Sequence, residues 1–187
     1  MKDKLSFFVI GAQKAGTTSI HNILSKHPKL CLPTIKETHF FSKNENYIKG
    51  NKWYYSWFDN MSDKILGEVD PEYLYYPEAA KRIKKNFTNP KFIVVLRHPM
   101  ERAYSHYLMS VRRGYETLSF ENAIINEQKR LKKGWFSKQN FSYLDRGNYY
   151  NQISNYKSIF PNSKFLFLKF DNLFNEKLNQ TLFNFLE

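Results

Sequence analysis

The sequence predicts an α/β fold of three layers, in which a mostly parallel central sheet lies between flanking helices. Two observations predict it. Short apolar runs alternate with segments whose apolar residues recur at helical spacing, the pattern of strands joined by crossover helices. The runs are also continuous rather than alternating, as in strands buried on both faces.

The first run is Phe7 to Ile10, a strand. A helix follows from Thr17 to Lys26, with Ile20, Ile23 and Leu24 on one face, and His27-Pro28 stops it. Leu30 to Leu32 is a second short strand and Ile65 to Val69 a third. Between them lies a long loop, Ser42 to Asp63, rich in aromatic residues (Trp53, Tyr54, Tyr55, Trp57, Phe58), of the kind that covers or lines a site. Pro77 suits the first turn of a helix carrying Ala80, Ile83 and Phe87. Phe92 to Leu96 is the clearest buried strand. Pro99 opens a helix in which Ala103, Tyr107 and Val111 share a face, and Gly114 closes it. Residues 119–132 predict one further helix. Tyr149 to Phe160 is amphipathic, Phe165 to Leu168 is the last strand, and a final helix carries Leu178, Leu182 and Phe185.

A length of 187 residues suits one domain with a real core, and 42% hydrophobic and 18% aromatic residues argue against disorder. No stretch approaches the roughly 18 apolar residues of a membrane span. The start, MKDKLSFFVIG, has an apolar run shorter than the about 7–15 residues of a secretory segment, so it reads as strand. The expected compartment is the cytoplasm. Cys31 stands alone, which excludes an internal disulfide. Five histidines without close Cys/His spacing argue against zinc, and no metal ligands are assigned. The net charge, 29 − 17 = +12, favours an anionic partner. The lysines are spread along the chain and the strands read as buried, so nucleic acid is disfavoured.

The chemistry starts after the first strand, at Gly11-Ala12-Gln13-Lys14-Ala15-Gly16-Thr17-Thr18. A glycine-spaced turn between a strand and a helix start cradles phosphate, because free backbone N–H groups and the helix dipole face the anion. The spacing fits a P-loop, which makes the fold one of the P-loop-containing nucleotide-binding type. Yet Thr17 stands where the Walker lysine belongs, and the lysine sits earlier, at Lys14. The strand Phe92 to Leu96 leads to Arg97 rather than to a magnesium-binding acid. The loop therefore binds phosphate-like oxygens with Lys14 as its cation.

Gln13 to Ile20 resembles the 5′-phosphosulfate loop of sulfotransferases that use 3′-phosphoadenosine 5′-phosphosulfate (PAPS). Val95-Leu96-Arg97-His98-Pro99 through Tyr107 is similar to that family's second motif. The resemblance implies that Gln13, Lys14, Ala15, Gly16, Thr17 and Thr18 hold the phosphosulfate. It also implies that Arg97 and Ser105 hold the 3′-phosphate, by which PAPS or its product PAP is told from ATP. A planar guanidinium with a hydroxyl suits a phosphate monoester.

Lys36-Glu37-Thr38-His39-Phe40-Phe41 resembles a segment of the heparan-type branch, in which the glutamate takes the proton of the acceptor hydroxyl. That makes Glu37 the catalytic base, with Lys14 as catalytic cation, and points to a carbohydrate acceptor. His39 either orients the acceptor or Glu37, or is a plain loop histidine. Gly67 to Leu74 resembles the segment lining the acceptor cleft, around Pro71. Several glycan enzymes carry a lysine where Val69 stands. Arg146-Gly147-Asn148-Tyr149 resembles a substrate-side helix start and nominates Tyr149. The resemblance spans nearly the whole of 1–187, a single domain, but lacks the basic, glycine-containing loop that closes the nucleotide site in such proteins. Two alternatives stay open: a P-loop kinase or nucleotide hydrolase, and a non-catalytic glycan- or anion-binding relic of the fold.

Overall fold

The computed structural model describes residues 5–59 and 61–187, so the charged lead ahead of the first strand lies outside the described residues. They form two compact units, one of residues up to Leu96 together with Gln152–Glu187, the other Arg97–Asn151.

The first unit is built on five strands, β1 (Leu5–Gly11), β2 (Leu30–Cys31), β3 (Ile65–Val69), β4 (Lys91–Leu96) and β5 (Phe165–Lys169), in the order β2-β3-β1-β4-β5. Every pairing is parallel. The sheet is therefore wholly parallel, and flanking helices complete the α/β fold. Phe7 to Ile10 and Phe92 to Val95 are solvent-free, as uncharged strands covered on both faces must be. Gly67 pairs with Phe7, and a Cβ there would stand 2.0 Å from the Phe7 ring. A glycine is what lets that phenyl fill the sheet face.

The unit's helices are α1 (Thr17–Ser25), α2 (Asn44–Tyr47), α3 (Gly50–Tyr55), α4 (Glu72–Tyr75), α5 (Pro77–Asn86), most of α10 (Tyr149–Ile159) and α11 (Leu178–Leu186). The stretch expected as a long loop thus contains α2 and α3. Its aromatics explain why: Tyr54 is buried and stacks on Phe40 at 4.6 Å, and Phe58 packs on Tyr54 at 5.4 Å. In α11 the buried stripe is Leu178, Leu182 and Leu186. Phe185 lies beside it, with Lys91 Nζ over its ring at 5.9 Å.

The second unit holds α6 (Pro99–Arg112), α7 (Phe120–Ile125), α8 (Glu127–Leu131) and α9 (Trp135–Phe141). The helix expected over 119–132 breaks at Asn126. Beyond the break, the buried Glu127 turns its carboxylate to the N–H groups of Leu144 and Asp145, both at 2.8 Å. In α6 the buried face is Arg102, Ala103, His106 and Ser110, and Val111 is 40% exposed. Burial of charged and polar residues, invisible to an apolar pattern, displaces the expected face. Arg102 donates to the Tyr143 carbonyl, His106 Nε2 lies 3.1 Å from the Gln139 carbonyl, and Ser110 Oγ donates to the Asn140 carbonyl at 2.6 Å. Polar burial becomes tolerable when each group finds a partner of this kind.

Candidate functional site

β1 is central, with β3 and β4 on opposite sides. Chain order therefore reverses at its carboxyl end, the place where open parallel sheets bind ligands. The turn leaving β1 is anchored by the N–H of Ala12, which donates to the Val95 carbonyl at 2.8 Å. Lys14 (φ 67°) and Gly16 (φ 89°) are left-handed, and such turns form anion-binding nests of backbone N–H groups. At Gly16 a side chain is excluded twice. The conformation disfavours it, and a Cβ would stand 2.3 Å from Leu173 Cδ1.

Ser19 and Ile20 donate to the Gly16 carbonyl, so the first α1 amides, those of Thr17 and Thr18, have no intrahelical acceptor. No side chain caps this end and no acidic residue sits in the first turn. Gln13 Nε2 donates to Glu72 Oε1 at 2.9 Å. Gln13 Oε1 is buried with no hydrogen-bond partner among the described residues. Orphan donors at the helix start, a carboxamide with a buried oxygen and a half-buried Lys14 fit an anionic, phosphate-like group.

The segment after β2 alternates outward and inward. Glu37 and His39 are half-buried, while Thr38, Phe40 and Phe41 are buried. Beneath it, the strand β3 and its exit supply three fully buried carboxylates, Glu68, Asp70 and Glu72. Glu68 Oε1 accepts from the Thr38 hydroxyl at 2.5 Å and the Thr38 N–H at 3.3 Å. Glu68 Oε2 accepts from Tyr54 at 2.6 Å and Tyr73 at 3.0 Å. Burial and the Asp70 charge raise the Glu68 pKa above its usual range, and the three hydroxyl bonds only partly offset them. Burial, then the Glu68 charge, push both tyrosines well up.

On the outward side, Lys36 pairs with Glu37 Oε1. Glu37 Oε2 lies 3.9 Å from His39 Nε2. His39, at a left-handed φ of 50°, puts its N–H at 2.7 Å and its Nδ1 at 2.9 Å from Asp70 Oδ2. Glu37, His39 and Asp70 thus bring polar atoms within 4.8 Å of one another. Gln13 reaches the same carboxylate group through Glu72. Gln13 and the pair Glu37 and His39 therefore sit on one connected network.

In the second unit, Arg97 Nε pairs with Glu101 Oε2 at 3.1 Å. The Tyr149 hydroxyl donates to the Arg97 carbonyl at 2.9 Å, so Tyr149 braces the backbone of that arginine. Ser105 is half-buried on α6. Pro71 is buried as the residue preceding α4. Sequence reasoning passed over Glu68, Asp70 and Glu72 as individual residues. The available signal was two carboxylates at i and i+2 beside an apolar strand, which puts both on one face.

The family described as "Sulfotransferase domain" matches residues 4–187. A "Membrane-associated sulfotransferase kil1" of Dictyostelium discoideum is 36% identical over 111 residues, covering 57% of this chain and 23% of that protein. A "Bifunctional heparan sulfate N-deacetylase/N-sulfotransferase 4" of Mus musculus is 39% identical over 109 residues, 54% of this chain and 12% of that protein. The chain thus spans less than a quarter of these two relatives. Among solved structures, a sulfotransferase from Alicyclobacillus acidocaldarius superposes with a TM-score of 0.86 at 28% identity, covering 97% of this chain and 80% of that one.

The expected cytoplasmic location does not stand, since a relative of this similarity is named as membrane-associated. That expectation took the lack of an apolar span as evidence of compartment. Among the described residues no helix is long and apolar enough to cross a membrane, which describes the helices and leaves compartment open. The kinase alternative also gives way. With a match running almost end to end and the same fold in a solved relative, this chain belongs to the sulfotransferase domain family.

Proposed function

We propose that the chain transfers a sulfuryl group from PAPS to a hydroxyl or amine of a carbohydrate. The observation that carries this is the connected network. The phosphate-type loop holds Glu72 through Gln13, Asp70 accepts the N–H of Glu72 at 3.0 Å, and Asp70 holds His39 beside Glu37. An anion cradle and a carboxylate base on one scaffold are what transfer from an anionic donor to a neutral nucleophile needs. Relatives named as heparan sulfate sulfotransferases support a sugar acceptor.

When bound, PAPS supplies an activated sulfuryl group attached to a phosphate leaving group. Lys14 and the first amides of α1 stabilise negative charge as it develops on that phosphate. Across enzymes, stabilisation of this kind by preorganised donors is commonly the largest single contribution to the rate. Glu37 takes the proton of the attacking hydroxyl, which becomes acidic only as the new bond forms, so the proton moves late. Gln13, Ala15, Gly16, Thr17 and Thr18 complete the 5′ side of the donor site. Arg97 and Ser105 take the 3′-phosphate, with Arg97 steadied by Tyr149. The scheme asks for no metal.

Calorimetry with PAP beside AMP and ATP tests the donor site. PAP is expected to bind at least about tenfold tighter than AMP, roughly 1.4 kcal/mol, and Arg97→Ala to remove the difference. Equal affinity for PAP and AMP, or magnesium-dependent ATP binding tighter than both, overturns this reading.

A further inference from the structure

The buried Asp70 carboxylate uses both oxygens. Oδ1 accepts the N–H of Glu72 at 3.0 Å. Oδ2 takes His39 twice, by its main chain at 2.7 Å and by its ring Nδ1 at 2.9 Å. A carboxylate accepts only, so Nδ1 carries a proton, and the ring is turned with Nε2 facing Glu37. Nε2 and Glu37 Oε2 stand 3.9 Å apart, too far for a direct bond. An oxygen between them at about 2.8 Å from each makes two good hydrogen bonds.

Resting on Glu37 as the base, we propose that Asp70 is a positioning residue which fixes the His39 ring, so that Nε2 and Glu37 Oε2 flank the acceptor hydroxyl. In that place the hydroxyl donates to Glu37 Oε2 while its oxygen accepts from His39 Nε2–H. As the oxygen bonds to sulfur, its proton passes to Glu37. The bond from sulfur to the bridging oxygen breaks, and its electron pair stays on the leaving phosphate. His39 keeps its proton throughout, so the pair aims the nucleophile without competing for its proton.

The charges facing the ring agree with this. Burial alone lowers the His39 pKa, but the charge and hydrogen bond of Asp70, with Glu72 and Glu37, outweigh it and raise the value to about 9. Lys36 is paired to Glu37, and His21 nearby, lowered first by burial, feels both. Nε2 is therefore a donor at neutral pH and loses that role as pH rises through about 9.

The test follows the His39 ring by NMR, assigned with His39→Gln, beside pH profiles of PAP formation on a heparan-type oligosaccharide. The wild-type ring should titrate near 9, and in Asp70→Asn fall toward the ordinary 6.5. Asp70→Asn should lose about tenfold or more in kcat. The alkaline limb of its profile should move down with the ring, and PAP affinity should hold. A limb that stays while the ring moves overturns the proposal, as does an Asp70→Asn ring that titrates like wild type. Should Asp70→Asn not fold, His39→Gln decides: its alkaline limb should vanish, and an unchanged limb overturns the proposal. If wild type forms no PAP with any acceptor, Glu37 as base fails separately. The ring is then decisive for the pair, a midpoint near 6.5 overturning it.

Discussion

The two loops that meet at the carboxyl end of β1 are made of different materials. The proposed donor loop, Ala12 to Gly16, is a backbone device: left-handed turns at Lys14 and Gly16, uncapped amides, and one lysine. The loop carrying Glu37 and His39 is a side-chain device. Its residues are tied from below by Glu68 and Asp70 through bonds of 2.5 to 3.3 Å. A backbone site depends on which residues can adopt its turns, so it is written locally in the sequence. A side-chain site depends on residues about 30 positions away. The two should therefore fail differently under substitution.

The largest contrast comes from breaking each at its own weak point. In Gly16→Val the new side chain meets Leu173 and Phe170 and takes a left-handed φ. Strain and overpacking together cost about 2–5 kcal/mol. Thermal unfolding should show that loss, and calorimetry the loss of PAP binding. Glu37→Gln should leave both measurements nearly unchanged and lower turnover about 100-fold or more, the usual worth of a positioned base. Near-normal turnover in Glu37→Gln removes Glu37 from the mechanism.

A smaller effect separates the loops by pH. Glu68 has a raised pKa in the folded chain, from burial first and the Asp70 charge second. A carboxyl of this kind contributes stability that is fully present below its ordinary 4.5 and is lost as pH rises through the raised value. Glu68→Gln removes that dependence. It should cost about 1 kcal/mol in acid, where the hydrogen bonds of the acid are lost, and less, or nothing, in mild alkali. Denaturant titrations across pH check this. Parallel curves for the two proteins would mean that Glu68 is not the titrating group.

Much of this was legible in advance. β1, β4 and β5 announced themselves as apolar runs and β3 as a weaker one interrupted by Glu68, and Lys14, Gly16 and Arg97 as motif residues at fixed spacing. What stayed hidden was long-range or polar. Helices α2 and α3 sit in a stretch of aromatics whose burial is decided by Phe40 and Glu68, not by local period. The break at Asn126 follows from Glu127 receiving amides 17 and 18 residues on. The bond from the Tyr149 hydroxyl to the Arg97 carbonyl spans 52 residues and has no local signal. Asp70 was visible as a letter before Pro71. Only the fold brings it to the His39 ring.

The finest test asks whether the two loops are independent at all. Gln13 joins the donor loop to the carboxylates beneath the other loop, by the 2.9 Å bond to Glu72. Gln13→Ala should cost about 0.5–1.5 kcal/mol of stability, the net worth of one such bond. It leaves the anion-binding amides in place, so PAP affinity should fall only a few-fold. Its effect on the acceptor side is the telling quantity. Glu72 is bonded to Gln13 on one side and to Asp70 on the other, and its charge helps hold His39 protonated. Freed from Gln13, that carboxylate gains room to shift relative to His39. A double-mutant cycle of Gln13→Ala with His39→Gln, read on turnover, measures the coupling. A value above about 0.5 kcal/mol means the donor loop helps set the geometry of the acceptor loop. Simple additivity would mean that the two devices share a scaffold but act alone.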